Sequence, residues 1–292
     1  MSITASMVKE LRERTGLGMM DCKKALTEAD GDLELAIETL RKSSALKAAK
    51  KSGRTTADGL LGIKIADDGK RAALVEINIE TDFAAKNTQF IEFVDEVCVA
   101  VFEQGEEDLQ KLGLEQKRER LVQEIGENIT MRRAALLESA DGEIYSYMHS
   151  DNRKACLVEL VGGNAELGKD IAMHVTAIRP TVVRAEDVDA ALVAKEREIY
   201  SSQAQDSGKP PEIIEKMVEG RVRKFLSEIS LLDQAFAKDS SVKVGALLKE
   251  AGADALSFVR FEVGEGIEVA KEDFAAEVAA QIKGSKADSD KS

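Results

Sequence analysis

The run KRAALVEI, beginning at Lys70, returns as RKACLVEL beginning at Arg153, 83 positions later. An octapeptide that recurs with its basic start and its Leu-Val-Glu intact marks a repeated supersecondary unit. The match extends past this β-rich run. Phe90, Val94 and Val97 correspond to Ile171, Val175 and Ile178 at an offset of 81, and LVQEIGEN at Leu121 resembles LLKEAGAD at Leu247. A strand pattern followed by helical spacing, given twice, predicts an α+β fold whose core is two similar subdomains with antiparallel sheets. Between matched strand and matched helix the offset falls by two. The first copy therefore holds two extra residues in the segment with Thr81, Asp82 and Phe83, which is expected to protrude where its sibling does not.

Around this core the pattern is helical. Thr4 is placed to cap a helix carrying Met7, Val8 and Leu11 that closes at Thr15 and Gly16; a second helix begins near Met20, and Asp32 caps a third. Cys22, Ala25, Leu26 and Ala29 line one face of the second, and Leu33, Ala36, Ile37 and Leu40 one face of the third, so residues 1–53 read as a three-helix N-terminal domain ending in a basic linker. The stretch Arg41 to Arg54 carries six basic residues and no acid, and reads as that linker or as a frayed helix end. From Gly59 the period changes to alternation. Leu61, Ile63 and Ile65, a turn at Asp67 to Lys70, and the run Ala72 to Ile79 predict an antiparallel hairpin. A helix with Phe90, Phe93, Val94, Val97 and Val101 inward, a second helix over Leu109 to Glu127 and a third strand over Ile129 to Leu137 complete a first core subdomain, 54–140. The second comprises 141–182 and 230–264. It is interrupted by 183–229, where two helical stretches separated by DSGKPP predict an antiparallel helical hairpin, with Val188, Leu192 and Ile199 of one arm against Ile214, Met217, Val218, Val222, Phe225 and Ile229 of the other. Residues 265–292 read as a C-terminal helical module, with Phe274, Val278 and Ile282 spaced by four, and a tail, GSKADSDKS, expected to be disordered.

The chain has 292 residues, 33% charged and 43% hydrophobic, with a net charge of -13. That field repels nucleic acid and anionic lipid, and favours a protein as partner. The N-terminal residues show neither the apolar stretch of a secretion signal nor a membrane helix, so the expected location is cytoplasmic. Cys22, Cys98 and Cys156 lie far apart inside apolar patterns and read as reduced core thiols. No catalytic constellation and no metal-ligand spacing surrounds His149 or His174; His174 aligns with Phe93 and is expected in a core, whereas His149 sits in a polar turn. GNAELGKD, Gly163 to Asp170, matches a phosphate-binding loop except at its last position. There a magnesium-binding Ser or Thr is replaced by a carboxylate, so it is read as a plain strand-turn-helix. A nucleotide hydrolase using Gly163 to Lys169, an RNA-binding helper using Lys47 to Arg54, and a scaffold acting through the hairpin are the alternatives. Two features are suited to an interface: the adaptable pair Met19 and Met20 at a helix start, and Phe83 beside Asp82 on the protruding turn.

The opening ITASMVKELRERTGLGMMDCKKALTEADGDLELAIETLRKS, the turn ETDFAAKN, the segment IGENITMRR, the run IAMHV and the ending FVRFEVGEGIE together resemble the elongation factor Ts family over nearly the whole chain. The resemblance implies a UBA-like N-terminal domain, a two-subdomain core, a helical-hairpin (coiled-coil) insertion and a C-terminal module. It also implies a non-enzymatic guanine-nucleotide exchange factor of translation elongation. Asp82 and Phe83, with Thr81, would press into the nucleotide-binding domain of elongation factor Tu beside its magnesium site. Met19 and Met20 would pack on another face of that domain, Ile125 and Gly126 lie close to the protruding turn, and His149 would reach a further domain. GDP, GTP and magnesium would be bound by the partner and no cofactor by this chain; a homodimer of heterodimers is compatible with the family.

Overall fold

The computed structural model describes residues 3–205 and 210–268. The expected final helix with Phe274, Val278 and Ile282, the tail, and part of the DSGKPP break lie outside the described residues. Helices α1 (Ala5–Thr15), α2 (Met19–Glu28) and α3 (Leu33–Lys51) form the N-terminal bundle. Thr4 caps α1 by accepting from the Met7 N–H, Gly16 closes it at φ 72°, and Asp32 caps α3 through the Leu35 N–H. Leu11, Leu17, Cys22, Leu26 and Ala36 fill its core.

The basic stretch read as a linker or frayed end is helix as far as Lys51. Ser44 and Ala48 are buried there, and Ser44 donates to Gln123 Oε1 at 2.7 Å. Tertiary packing at Ser44 and Ala48 holds these turns, which the local sequence alone does not fix. Past this point come β1 (Asp58–Ile65), β2 (Arg71–Ile79), the short α4 (Asp82–Ala85), α5 (Thr88–Gln104), α6 (Glu115–Ile125) and β3 (Ile129–Glu138). The single helix expected over Leu109 to Glu127 is instead a 3-10 turn, Leu109–Leu112, followed by α6. Gly113, left-handed at φ 74°, separates the two.

The second unit repeats the plan with β4 (Glu143–Met148), β5 (Lys154–Val161), α7 (Ala165–Ile178), the hairpin arms α8 (Ala190–Gln205) and α9 (Pro211–Ile229), α10 (Val244–Glu250) and β6 (Asp254–Glu262). Two antiparallel sheets result, ordered β1-β2-β3 and β4-β5-β6. Their central strands are buried on both faces, which is why both read as nearly unbroken apolar runs. On β2, Ala73, Val75, Ile77 and Ile79 meet Phe90, Phe93 and Val97 of α5, while Ala72 and Leu74 meet Ala155 and Leu157 of β5. Cys156, Val158 and Leu160 face α7 in turn. The layers thus run helix, sheet, sheet, helix.

Both ladders shift register directly after the repeated glutamate, at Glu76/Ile77 and Glu159/Leu160. Beyond the shift β2 and β3 continue for three pairs, ending at Ile79↔Ile129, and β5 and β6 for two. The first sheet is longer at the end where the two extra residues fall.

Glu76 is fully buried and points between the sheets, where it accepts from Arg132 Nη1 (2.8 Å), Arg133 Nε (2.5 Å), Asn78 Nδ2 (3.1 Å) and the Gly264 N–H (2.8 Å). Burial pushes its carboxyl up, but the Gly264 N–H and the two guanidinium groups outweigh this and hold it below the ordinary carboxylate value.

His174 is fully buried in the second unit, as expected, accepting at Nδ1 from the Ala237 N–H (3.1 Å) with Nε2 2.9 Å from Gln234 Oε1. Burial lowers its pKa from the ordinary 6.5, against the opposing hydrogen bond that Nε2 donates to Gln234 Oε1. The unfolded chain therefore binds this proton first as pH falls, so the stability contribution is intact above 6.5 and is lost as pH drops through that value towards the lower folded one. Urea unfolding at about pH 7 and about pH 5 is expected to show a lower midpoint at the acid end, and His174→Gln a shallower decline. An unchanged slope in the variant would remove His174 from the acid response.

The three cysteines are free and buried, and burial pushes the Cys98 thiol up to about 12. In the hairpin, Val218 and Val222 are buried against Val193, Tyr200 and Ala204. Leu192 and Ile199, expected at that seam, are exposed instead. The arms cross with a phase that apolar spacing on each arm separately does not define.

Candidate partner-docking surface

At the end of β2 the chain leaves the sheet at Glu80 and winds into α4, a four-residue turn of helix. Such a turn is too short to hold itself. Thr81 caps it, accepting from the Ala84 N–H at 3.2 Å, and Lys86 closes it with an ion pair to Asp82 at 2.9 Å. The Lys86 ammonium holds the Asp82 carboxyl below its ordinary range, with a smaller contribution from the Arg153 charge. Phe83 is 80% exposed, with the Lys86 Nζ 5.4 Å from its ring centroid. A large ring is thus kept out of the core on a capped turn, beside the Asp82 carboxylate, and leaves apolar surface in water that the chain's own core does not use.

Ile125 packs on the first core, and Gly126 ends α6 in the left-handed conformation, φ 89°. Lys51, from the last turn of α3, donates to the Gly126 carbonyl. The next residue, Glu127, accepts from both the N–H (2.9 Å) and the hydroxyl (2.8 Å) of Thr81. Thr81, Asp82, Phe83, Ile125 and Gly126 are thus brought into one neighbourhood. Glu80, Lys86 and Glu127, which hold it, were not singled out in the sequence; the antiparallel register run outward from Ile79↔Ile129 is the signal that pairs Thr81 with Glu127.

His149 lies in the turn between β4 and β5, with Nδ1 2.9 Å from Asp151 Oδ1. This turn is joined to the first sheet: the Leu61 N–H donates to the Asn152 carbonyl at 2.9 Å, and Arg153 pairs with Asp58 at the start of β1. Met19 and Met20 lie apart from the turn on the N-terminal bundle, 59% and 78% exposed. They border a mainly apolar groove of about 430 Å³ lined also by Ile3, Val8, Arg12 and Lys23. The next residue, Asp21, accepts from Gln123 Nε2 (3.2 Å), so α6 connects the methionine patch to the protruding turn.

The phosphate-loop look-alike has packing reasons for its residues. A Cβ on Gly168 would lie 2.2 Å from Tyr145 Cγ, Asn164 caps α7 through the Leu167 N–H, and Asp170 pairs with Lys238 at 2.5 Å. Among the described residues no group of three or more His, Cys, Asp or Glu is placed to hold a metal ion, and no helix is long and apolar enough to cross a membrane.

The fold and this surface together define an α+β protein that presents rigidly mounted apolar groups outward from a helical bundle and a two-sheet core. The family model described as Elongation factor TS matches residues 80–265. Curated relatives named Elongation factor Ts include those of Hahella chejuensis (59% identical, covering 97% of this chain and 99% of the relative), Saccharophagus degradans (54%, 98% and 100%) and Teredinibacter turnerae (53%, 98% and 99%). The chain belongs to the elongation factor Ts family, a family of translation elongation factors.

Proposed function

We propose that the chain is a guanine-nucleotide exchange factor that binds elongation factor Tu carrying GDP and promotes release of that GDP. The observation that carries this reading is Phe83, 80% exposed on a turn braced from two sides. Pushed into the partner beside its nucleotide, the ring and the Asp82 carboxylate would displace the elements that hold magnesium and phosphate. Met19 and Met20 would seat a second contact and His149 a third. Linkage supplies the driving force: if the chain binds nucleotide-free partner more tightly than the GDP form, GDP weakens its binding by the same factor, and entering GTP expels it. No bond is made or broken in this chain, so it acts by binding and not as an enzyme; nucleotide and magnesium belong to the partner. The domain division drawn from the sequence and a cytoplasmic location accompany the reading.

The test is the dissociation rate of fluorescent GDP from purified elongation factor Tu, chased with unlabelled GDP, with and without the chain. Acceleration that grows with chain concentration is expected; none at any concentration overturns exchange. A scaffold acting through the hairpin draws support from the exposed Leu192, Ile199 and Ile213. That reading requires loss of function on deleting Glu186 to Ile229 and none on Phe83→Ala.

A further inference from the structure

We infer that Glu127 is a positioning residue for the Phe83 turn, an inference that rests on the exchange reading. The β2–β3 ladder ends at Ile79↔Ile129. Continued in the same register, Glu80 would face Asn128 and Thr81 would face Glu127. Backbone bonds stop there, but the pairs persist through side chains. The Asn128 N–H donates to Glu80 Oε1 at 2.6 Å, and the Thr81 N–H donates to Glu127 Oε2 at 2.9 Å. Each carboxylate satisfies the backbone N–H of the opposite segment, so two side chains extend the sheet by two pairs while leaving room for the chain to turn into α4.

Glu127 also does what Glu80 does not. It accepts a hydrogen bond from the Thr81 hydroxyl at 2.8 Å, which turns the oxygen so that its lone pair accepts from the Ala84 N–H. A hydroxyl has one proton to give, so this carboxylate sets the cap on α4 and hence the direction in which Phe83 leaves the protein. The sibling repeat is an internal control: LLKEAGAD places Ala253 where LVQEIGEN places Glu127, and the second unit, with no exposed aromatic among its described residues, forms its ladder without the carboxylate. The clamp accompanies the turn, not the fold.

Single and paired variants in the GDP-release assay, together with amide hydrogen exchange, test this. Glu127→Ala is expected to reduce the acceleration by about tenfold, the usual scale for losing charge-assisted hydrogen bonds that fix geometry, and Glu127→Gln, which keeps one acceptor, by less. In a Phe83→Ala background Glu127→Ala should cost nothing further, because it acts through that ring. Exchange of the Thr81 and Ala84 amides should quicken in Glu127→Ala while those of Val75 and Ile77 stay protected. An equal loss in both backgrounds, or unchanged Thr81 and Ala84 protection, overturns the inference. If the unaltered chain fails to speed GDP release, the exchange reading falls and amide protection alone judges the clamp.

Discussion

Phe83→Ala is expected to lower the chain's acceleration of GDP release from elongation factor Tu by about thirtyfold or more, the scale of losing one interface anchor of about 2 kcal/mol. The same substitution should leave the melting temperature of the free chain nearly unchanged. The ring is 80% exposed, so it contributes little burial to the fold, and its contact with Lys86 is of the weak, solvated cation–π kind. A large functional loss without a stability loss separates a group held for a partner from one held for the core. Acceleration within about twofold of the unaltered chain would remove the ring from the mechanism.

Glu76→Ala is expected to cost about 3 kcal/mol of folding stability, read as a drop in the urea midpoint. The carboxylate gathers Arg132, Arg133, Asn78 and the Gly264 N–H between two sheets, so its removal takes the shared acceptor from four donors, of which the Gly264 N–H has no other partner among the described residues. Because its folded pKa is lowered, its contribution is present above the unfolded carboxylate value near 4.5 and is lost as pH falls through the folded one. Glu76→Gln should therefore both destabilise and flatten the acid limb. A cost below about 1 kcal/mol would mean that the partly exposed guanidinium groups recover their bonds from water.

The parts of the fold legible in sequence are those whose signal is local or repeated. Thr4, Gly16 and Asp32 announced their helix ends because a cap is made within three or four residues. The two central strands were legible because each is buried on both faces and each resembles the other. What stayed hidden depends on a distant partner. Residues 41–51 are helical because Ser44 and Ala48 lie against α6 and the first core, and a charge-rich sequence carries no sign of that contact. The exposure of Leu192 and Ile199 reflects the phase between two hairpin arms. The surface divides in the same way: Phe83 stood out as an aromatic on an inserted turn, while Glu127, though inside the IGENITMRR segment, showed no role of its own and acquires one only from strand register.

The second sheet draws β5 and β6 from either side of the helical hairpin, so it cannot close until the chain has passed Asp254, whereas the first is complete at Glu138. On a chain made from its N-terminus the first unit can settle early and offer its Ala72 and Leu74 face as a template for the second. The delay is softened by a tie at the root of the insertion, where Val182 bridges Ser230 and the Thr181 N–H donates to the Ile229 carbonyl. Once those residues meet, the hairpin drops out of the loop that β5 and β6 must still close, and the entropic penalty of the late pairing becomes that of two short connections.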